Sequence, residues 1–172
     1  MAETNTLVSI LMGSDSDLDV MMEAAKTLEK FGVSYEIDVT SAHRSPERTR
    51  KIVAEAPTRG VRLFIVGAGA AAHLAGVVSA ESILPVIGVP LDSSALRGVD
   101  ALYATVQMPG GIPVATMAIG KAGATNAAIF AVEILSLADP ELQGKLQDHK
   151  RKLAEGVERK SASLRERLKA EK

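Results

Sequence analysis

A histidine and an arginine stand side by side in Ser41–Pro46 (SAHRSP), a short segment between a predicted strand and a predicted helix. His43 is one of only three histidines, and histidine is the side chain that can both accept and donate a proton near neutrality. Arg44 adds a fork-shaped cation that matches a phosphate group. The pair predicts acid–base chemistry on a phosphorylated ligand. The alternative is a histidine bonded to nearby backbone and an arginine in a surface salt bridge.

Two further segments that follow predicted strands are rich in small or polar residues. Gly13–Asp17 offers backbone N–H groups that suit a phosphate, with carboxylates that suit sugar hydroxyls or only cap the next helix. Gly67–Gly76 contains small residues, which let the backbone approach a flat ligand closely. It also contains His73, which contacts either a ligand or the following helix. Loops after parallel strands emerge at the same sheet edge, so we expect all three to face one pocket.

The elements that must position these loops alternate along the chain between strand-like apolar runs and segments of helical spacing. This alternation predicts an α/β fold with a parallel sheet, right-handed crossovers and helices on both faces. The second strand, which alternates apolar and acidic residues, is expected nearer a sheet edge. Ser45 and Pro46 form a typical helix start. Predicted strands cover residues 7–12, 35–39, 61–66, 85–89 and 113–119; predicted helices end before Gly32, run over 46–59, end before Pro85, and cover 98–107 and 126–137.

The C-terminal segment 141–172 differs from the rest in charge and periodicity. It carries 10 Lys/Arg against 6 Asp/Glu, whereas residues 1–140 carry 10 against 15. Its apolar residues recur at helical spacing. We therefore predict a single catalytic domain over 1–140 and a long amphipathic helix over 141–172. The apolar stripe is longer than one edge of a small domain needs, so the helix is expected to pack on a neighbouring subunit, with Gly156 allowing a bend. A solvated tail is the alternative.

Composition excludes several classes of function. The net charge of −1 gives no global basic field for nucleic acid, and cysteine is absent. Three scattered histidines do not form a zinc site, and five aromatic residues are too few for flavin walls or single-strand binding. The third strand ends without the Asp of a receiver domain, and the first loop lacks the Gly-x-Gly-x-x-Gly of dinucleotide binding. No apolar run reaches membrane length, and the N-terminus carries no signal pattern, so a cytoplasmic protein is predicted.

At these loops the sequence resembles the 5-(carboxyamino)imidazole ribonucleotide mutases of purine biosynthesis, the bacterial-type phosphoribosylaminoimidazole carboxylase catalytic subunits. The resemblance covers about residues 7–137, and its motifs are specific only in combination. They are MGSDSD (12–17), SAHRSP (41–46), GAGAAAHLAG (67–76), LPVIGVP (84–90) and VQMPGGIPVATMAIGKAGATNAA (106–128).

The resemblance implies a flavodoxin-like three-layer αβα subunit in a homo-octamer, with a cofactor-free active site at subunit contacts. It implies conversion of 5-carboxyaminoimidazole ribonucleotide to 4-carboxy-5-aminoimidazole ribonucleotide, through decarboxylation and recarboxylation, in the pathway to IMP. It also implies a functional link to the ATP-dependent carboxyaminoimidazole ribonucleotide synthase, without a stable complex. Matched by motif, the implied roles are acid–base catalysis for His43, phosphate binding for Ser14 and Arg44, ribose binding for Asp17, and contacts around the imidazole and the migrating carboxylate for Ser41, Gly69, His73 and Leu74.

The departures from the family pattern lie in the third loop, where the family more often reads GAGGAAHLPGM. Ala75 replaces a Pro, which is expected to loosen the loop, and Val77 replaces a Met. Ala70 replaces a Gly, which predicts that the backbone there does not adopt a positive φ. Arg44 distinguishes the chain from the animal-type relatives, which read SAHK and use carbon dioxide directly. A carbon-dioxide-dependent carboxylase is nevertheless the alternative enzyme, and a ribonucleotide-binding sensor without catalysis is the alternative of another class.

Overall fold

The computed structural model describes residues 6–170, which form five strands and six α-helices joined by short turns. Two short 3₁₀ turns are also present: Asp15–Asp17 directly precedes the first α-helix, and Ala56–Arg59 directly follows the second. The strands are β1 (Val8–Met12), β2 (Tyr35–Val39), β3 (Leu63–Gly69), β4 (Val86–Leu91) and β5 (Ala115–Thr116); the helices are α1 (Leu18–Phe31), α2 (Pro46–Glu55), α3 (Leu74–Glu81), α4 (Val99–Val106), α5 (Lys121–Ser136) and α6 (Pro140–Ala170).

The five strands form one parallel sheet in the order β2-β1-β3-β4-β5. On one face, β3 side chains such as Phe64 and Val66 belong to an apolar cluster that includes residues of α2, α3 and α4. On the other face, α1 lies so close that a Cβ at Gly67 would overlap the Met21 side chain. The predicted three-layer αβα class is thus confirmed, and β2 lies at the sheet edge as predicted.

The central strands are longer than the sequence pattern predicts. β3 continues through Gly69, because β4 pairs with it as far as Gly69↔Leu91. The glycine-rich segment is therefore strand in its first three residues and loop only after them. β4 likewise continues through Pro90 instead of ending before it. The carbonyl of Pro90 accepts a hydrogen bond from Gly120 N, a residue beyond the end of β5. The backbone of Pro90 therefore faces a region where no strand pairs with β4, so the missing N–H of the proline breaks no hydrogen bond of the sheet.

Near the other edge of the sheet the sequence pattern predicts too long a strand β5 and too short a helix α5. β5 has two residues in place of the predicted seven, since its ladder with β4 contains only the pairs Ile87↔Ala115 and Gly88↔Thr116. α5 begins at Lys121, five residues before the predicted start. Lys121 forms an ion pair with Asp19 at the beginning of α1.

The described residues form two compact units, one ending at Val132 and one beginning at Glu133. In the second unit α6 is continuous through Gly156 and, with 31 residues, about 46 Å long. Its apolar residues repeat at intervals of 11, close to three turns, so the stripe runs nearly straight along the helix. The first pair is buried and the other two pairs are more than half exposed: Leu142 and Leu146, Leu153 and Val157, Leu164 and Leu168. The domain boundary at 140 stays a prediction.

None of the helices in the described part of the chain combines the length and apolar character needed to cross a bilayer.

Candidate active site

A cleft of about 300 Å³ opens at the carboxyl edge of the sheet, where the loops after β1, β2 and β3 meet. All eight residues selected from the sequence line it, which puts them in one place; their individual roles stay predictions. A second, more open hollow shares Gly13, Ser14, Ser41 and Arg44 with this cleft. The cleft is lined by Gly13, Ser14, Ser16, Asp17, Ser41, Ala42, His43, Arg44, Ala68, Gly69, Ala71, His73, Leu74 and Ser93.

The first loop uses most of its own hydrogen-bonding groups. Ser14 Oγ accepts from Ser16 N, and Asp17 Oδ2 accepts from Ser14 N at 3.1 Å, so the two residues form a reciprocal cap of the 3₁₀ turn. Asp17 N donates to Ser14 O. The expectation of free backbone N–H groups for a phosphate is therefore wrong at residues 14, 16 and 17. A phosphate bound here would rely mainly on hydroxyl groups and on Arg44.

Asp17 is both a helix cap and part of the cleft wall. Only 8% of its surface is exposed, and this burial raises the pKa of its carboxyl above the ordinary value; the Ser14 amide acts in the opposite direction, and the nearby Asp15 charge adds to the rise. One oxygen is used by the cap. The other can accept from a hydroxyl of a ligand, so the capping and binding interpretations of Asp17 are compatible.

Hydrogen bonds of its serines stabilise the second loop, and the side chains of His43 and Arg44 are exposed. Ser41 O accepts from Ser45 N, and Ser41 Oγ accepts from Arg44 N at 3.1 Å. Ser45 occupies the N-cap position of α2 as predicted, but its hydroxyl bonds to Ser41 and not to the helix. The Arg44 guanidinium donates to Gly13 O at 3.1 Å and so reaches from the second loop to the first. No carboxylate pairs with Arg44 in the described residues, which disfavours the salt-bridge alternative.

The third loop brings its histidine directly onto the second. His43 Nε2 and His73 Nδ1 are 2.8 Å apart, a hydrogen bond in which either ring can be the donor. The rings meet edge to face, with centroids 4.9 Å apart and an interplanar angle of 80°. Both histidines are exposed in the single chain. His73 also precedes the first residue of α3, but its side chain makes no cap hydrogen bond.

The backbone at Ala70 contradicts the prediction made from its identity. Ala70 has a φ of +51°, in the left-handed region that favours glycine. The reason is geometric: the chain leaves β3 at Gly69 and must turn sharply to begin α3 at Leu74, with Ala72 N and His73 N bonding carbonyls only two residues earlier. The turn imposes this conformation whether or not the residue carries a Cβ.

Ser93 is a cleft residue that the sequence analysis did not find. It follows β4 in a fourth loop at the same edge of the sheet, and a Cβ on Gly69 would overlap its hydroxyl. Its position after a buried strand was the available signal, because the loop after β4 emerges at the same edge as the first three. Ser16 also lines the cleft.

A parallel αβα subunit with a polar cleft at the carboxyl ends of its strands belongs to the flavodoxin-like class of folds. The family model described as AIR carboxylase matches residues 7–156. The N5-carboxyaminoimidazole ribonucleotide mutase of Pyrococcus horikoshii is 51% identical over 166 residues, which cover 96% of this chain and 93% of the relative. The Escherichia coli protein of the same name is 50% identical over 141 residues, 82% of this chain and 83% of the relative.

The crystal structure of Treponema denticola PurE is also similar, with a TM-score of 0.83, 31% sequence identity, and coverage of 92% of this chain and 98% of that one. The chain described here therefore belongs to the AIR carboxylase family. The resemblance recognised from the loop motifs is confirmed.

Proposed function

We propose that the chain is a mutase that moves a carboxylate from the exocyclic nitrogen of 5-carboxyaminoimidazole ribonucleotide to ring carbon four, a step of purine biosynthesis in the cytoplasm. The observation that carries the proposal is that one cleft joins the His43 ring to a guanidinium, hydroxyl groups and a buried carboxylate. The names of the relatives support the mutase reaction. They do not favour the carbon-dioxide-dependent carboxylase.

The distribution of charge in the cleft gives the ribonucleotide one orientation. Arg44 and Ser14 line both the main cleft and the adjoining hollow, where a guanidinium and a hydroxyl can bind the 5′-phosphate. The free carboxylate oxygen of Asp17 can accept from a ribose hydroxyl. The imidazole then lies toward the third loop, among Ser41, Gly69, His73 and Leu74. At Gly69 the space that a side chain would need is occupied by the Ser93 hydroxyl, so this part of the cleft wall consists of backbone and a hydroxyl group.

The chemistry needs one group that first donates and then accepts a proton. As the carbamate C–N bond breaks, its electron pair stays on nitrogen, which takes a proton from the doubly protonated His43 ring and leaves that ring neutral, and carbon dioxide is released into the cleft. Ring carbon four then attacks carbon dioxide, and neutral His43 removes the proton from that carbon. The proton balance is zero. Because the cleft holds carbon dioxide beside the ring, the attack becomes an effectively unimolecular step. We therefore propose that no cofactor is required.

Replacement of His43 by Asn tests the proposal, because the amide preserves polarity and approximate size but cannot shuttle a proton. We expect turnover to fall by about 10²- to 10⁴-fold or more, with binding of the ribonucleotide and the melting temperature retained. Conversion of the labile carbamate is followed by ultraviolet absorbance. His149→Asn, the same change in α6, is the matched control and should retain activity. Turnover of His43→Asn at the wild-type rate would refute the mechanism.

The same assay separates the proposal from its alternatives. A carbon-dioxide-dependent carboxylase would convert aminoimidazole ribonucleotide supplied with bicarbonate and would not depend on the carbamate. A ribonucleotide sensor would bind through Ser14, Asp17 and Arg44 but would convert neither compound.

For the assembly we propose a homo-octamer in which apolar faces of two helices lie between subunits. One is the exposed face of α6. The other is a face at α4 formed by Leu96, Val99, Tyr103 and Val106, each about half exposed or more. Closed assemblies of eight subunits with two-fold symmetry need more than one kind of interface. The basic excess of 141–172 and the acidic excess of 1–140 make contact between copies electrostatically favourable.

Substitution in α6 tests this assembly. In the double variant Val157→Ser, Leu164→Ser we expect light scattering to give a mass below eight times the 18.0 kDa chain, since about 0.8 kcal/mol is lost per buried CH₂ removed from the interface. Ala162→Ser, on the opposite side of the helix, is the control. An octamer of unchanged stability in the double variant would show that this face lies outside the interface.

A further inference from the structure

The direct contact between His43 and His73 joins two residues that the proposed reaction treats separately. In the mechanism above His43 moves the proton, and His73 only lines the space for the substrate. In the structure the two rings share a hydrogen bond of 2.8 Å between His43 Nε2 and His73 Nδ1. Nε2 is the ring nitrogen farthest from the backbone, and here it points across the cleft toward the third loop. The nitrogen best placed to meet a substrate is therefore already bonded to another side chain.

The exposed ring of His43 has few contacts that could fix its orientation. No other hydrogen bond to the His43 ring exists within the described residues. Arg44, its neighbour, bonds to Gly13 O, and the Asp17 carboxylate accepts from Ser14 N, so the two charged groups of the cleft are engaged elsewhere. The contact with His73 is thus the interaction that orients the His43 ring. A base held in place by a third group is the usual arrangement for an acid–base residue.

The hydrogen bond also decides where a proton lies, because only one of the two nitrogens can carry it. The proposed reaction begins with a proton leaving His43. If that proton is on Nε2, His73 Nδ1 must be the acceptor, and His73 must then hold its own proton on Nε2.

We propose that His73 is a positioning residue for His43: in the empty site its Nδ1 accepts from Nε2–H of the doubly protonated His43 ring, which orients that ring and places the transferable proton on the nitrogen that faces the cleft, so that His43 is neutral after the transfer. The departing amine of the substrate then replaces His73 as the acceptor. This inference rests on the proposed function for the direction of the proton. The contact itself does not depend on that function.

Three substitutions at one position distinguish positioning from simple filling of space. Asn places its amide oxygen near the position of Nδ1, Gln places it near that of Nε2, and Leu has no polar atom. We expect His73→Leu and His73→Gln to lower kcat by roughly 10- to 100-fold, the effect of losing one strong hydrogen bond, with a smaller change in KM. His73→Asn should restore most of kcat. Wild-type kcat in His73→Leu, or equal rescue by Gln and Asn, would overturn the proposal.

A second measurement needs no turnover. Diethylpyrocarbonate acylates an imidazole nitrogen that has a free lone pair, and mass spectrometry locates the adduct. In the empty wild-type protein we expect slow labelling of both cleft histidines, because both nitrogens of the protonated His43 ring carry a hydrogen and the lone pair of His73 Nδ1 is used in the hydrogen bond. In the Leu and Gln variants His43 should label faster than in the wild type and in His73→Asn, with the rate at His149 unchanged as the internal control. Rapid labelling of His73 in the wild type would show that it donates rather than accepts, and would overturn the assigned direction. If the wild type fails to convert the carbamate, the proposed function fails, while the labelling rates still decide whether the pair exists.

Discussion

Ala70 offers a direct test of how the third loop is built. Its φ of +51° puts an L side chain in the left-handed region, which costs about 1–2 kcal/mol because the Cβ approaches the following carbonyl oxygen. Ala70→Gly removes that term but increases the entropy of the unfolded chain, which lowers stability by about 0.4–1 kcal/mol. The net effect should be a stabilisation between about 0 and 1.6 kcal/mol.

A neighbouring substitution isolates the backbone term. Ala71 is also an exposed alanine of this loop and does not have a positive φ, so Ala71→Gly changes the unfolded chain in the same way without relieving strain. The free energies of unfolding of the two variants, measured by urea denaturation, should differ by about 1–2 kcal/mol in favour of Ala70→Gly. For a chain of this size that corresponds to roughly 2–8 °C in Tm. Equal destabilisation by both substitutions would refute the strained turn.

Other substitutions test the packing and the carboxylates of the structure. Gly69→Ala should raise KM, because its Cβ would overlap the Ser93 hydroxyl; Ser93→Gly in the same chain should restore part of the loss, and a Gly69→Ala enzyme with unchanged KM would contradict the packing. The raised pKa of Asp17, caused by burial, means that this group is less destabilising at low pH; the stability of wild type relative to Asp17→Asn should therefore increase as pH falls through the range just above 3.8. The ion pair with Arg59 lowers the pKa of Glu36, so the advantage of wild type over Glu36→Gln should be present at neutral pH and disappear as pH falls below 4.5. Unfolding curves measured across pH check both, and a constant difference would contradict either one.

Features that depend on local chemistry were predictable from the sequence. Gly32 ends α1 with a φ of +76°, as expected of a glycine after an amphipathic run. Pro46 opens α2 at the predicted residue. The meeting of three loops in one cleft followed from strand and helix alternation alone, because the parallel order fixes the edge at which the loops emerge.

Features set by distant neighbours were not predictable. From residue type alone, Gly67 and Gly69 could belong to a loop; Gly67 is strand because it pairs with both β1 and β4, and Gly69 is strand because it pairs with β4. The hydroxyl of Ser45 was expected to cap α2, but Ser41 lies close enough to bind it instead. The hydrogen bond between His43 and His73 joins residues 30 positions apart, and no local pattern indicates that separation.

The exposure of the two histidines connects the proposed chemistry to the proposed assembly. A mechanism that releases carbon dioxide needs a cleft that keeps it beside the ring, since in water the gas would diffuse away before ring carbon four attacked it. In the single chain His43, Arg44 and His73 are all exposed, so this chain alone cannot provide that enclosure. The flat ring of the substrate can cover part of the opening, but its own reacting edge must remain open to the gas. The mechanism proposed above therefore predicts a second surface over the cleft, which a neighbouring subunit of the proposed octamer would supply.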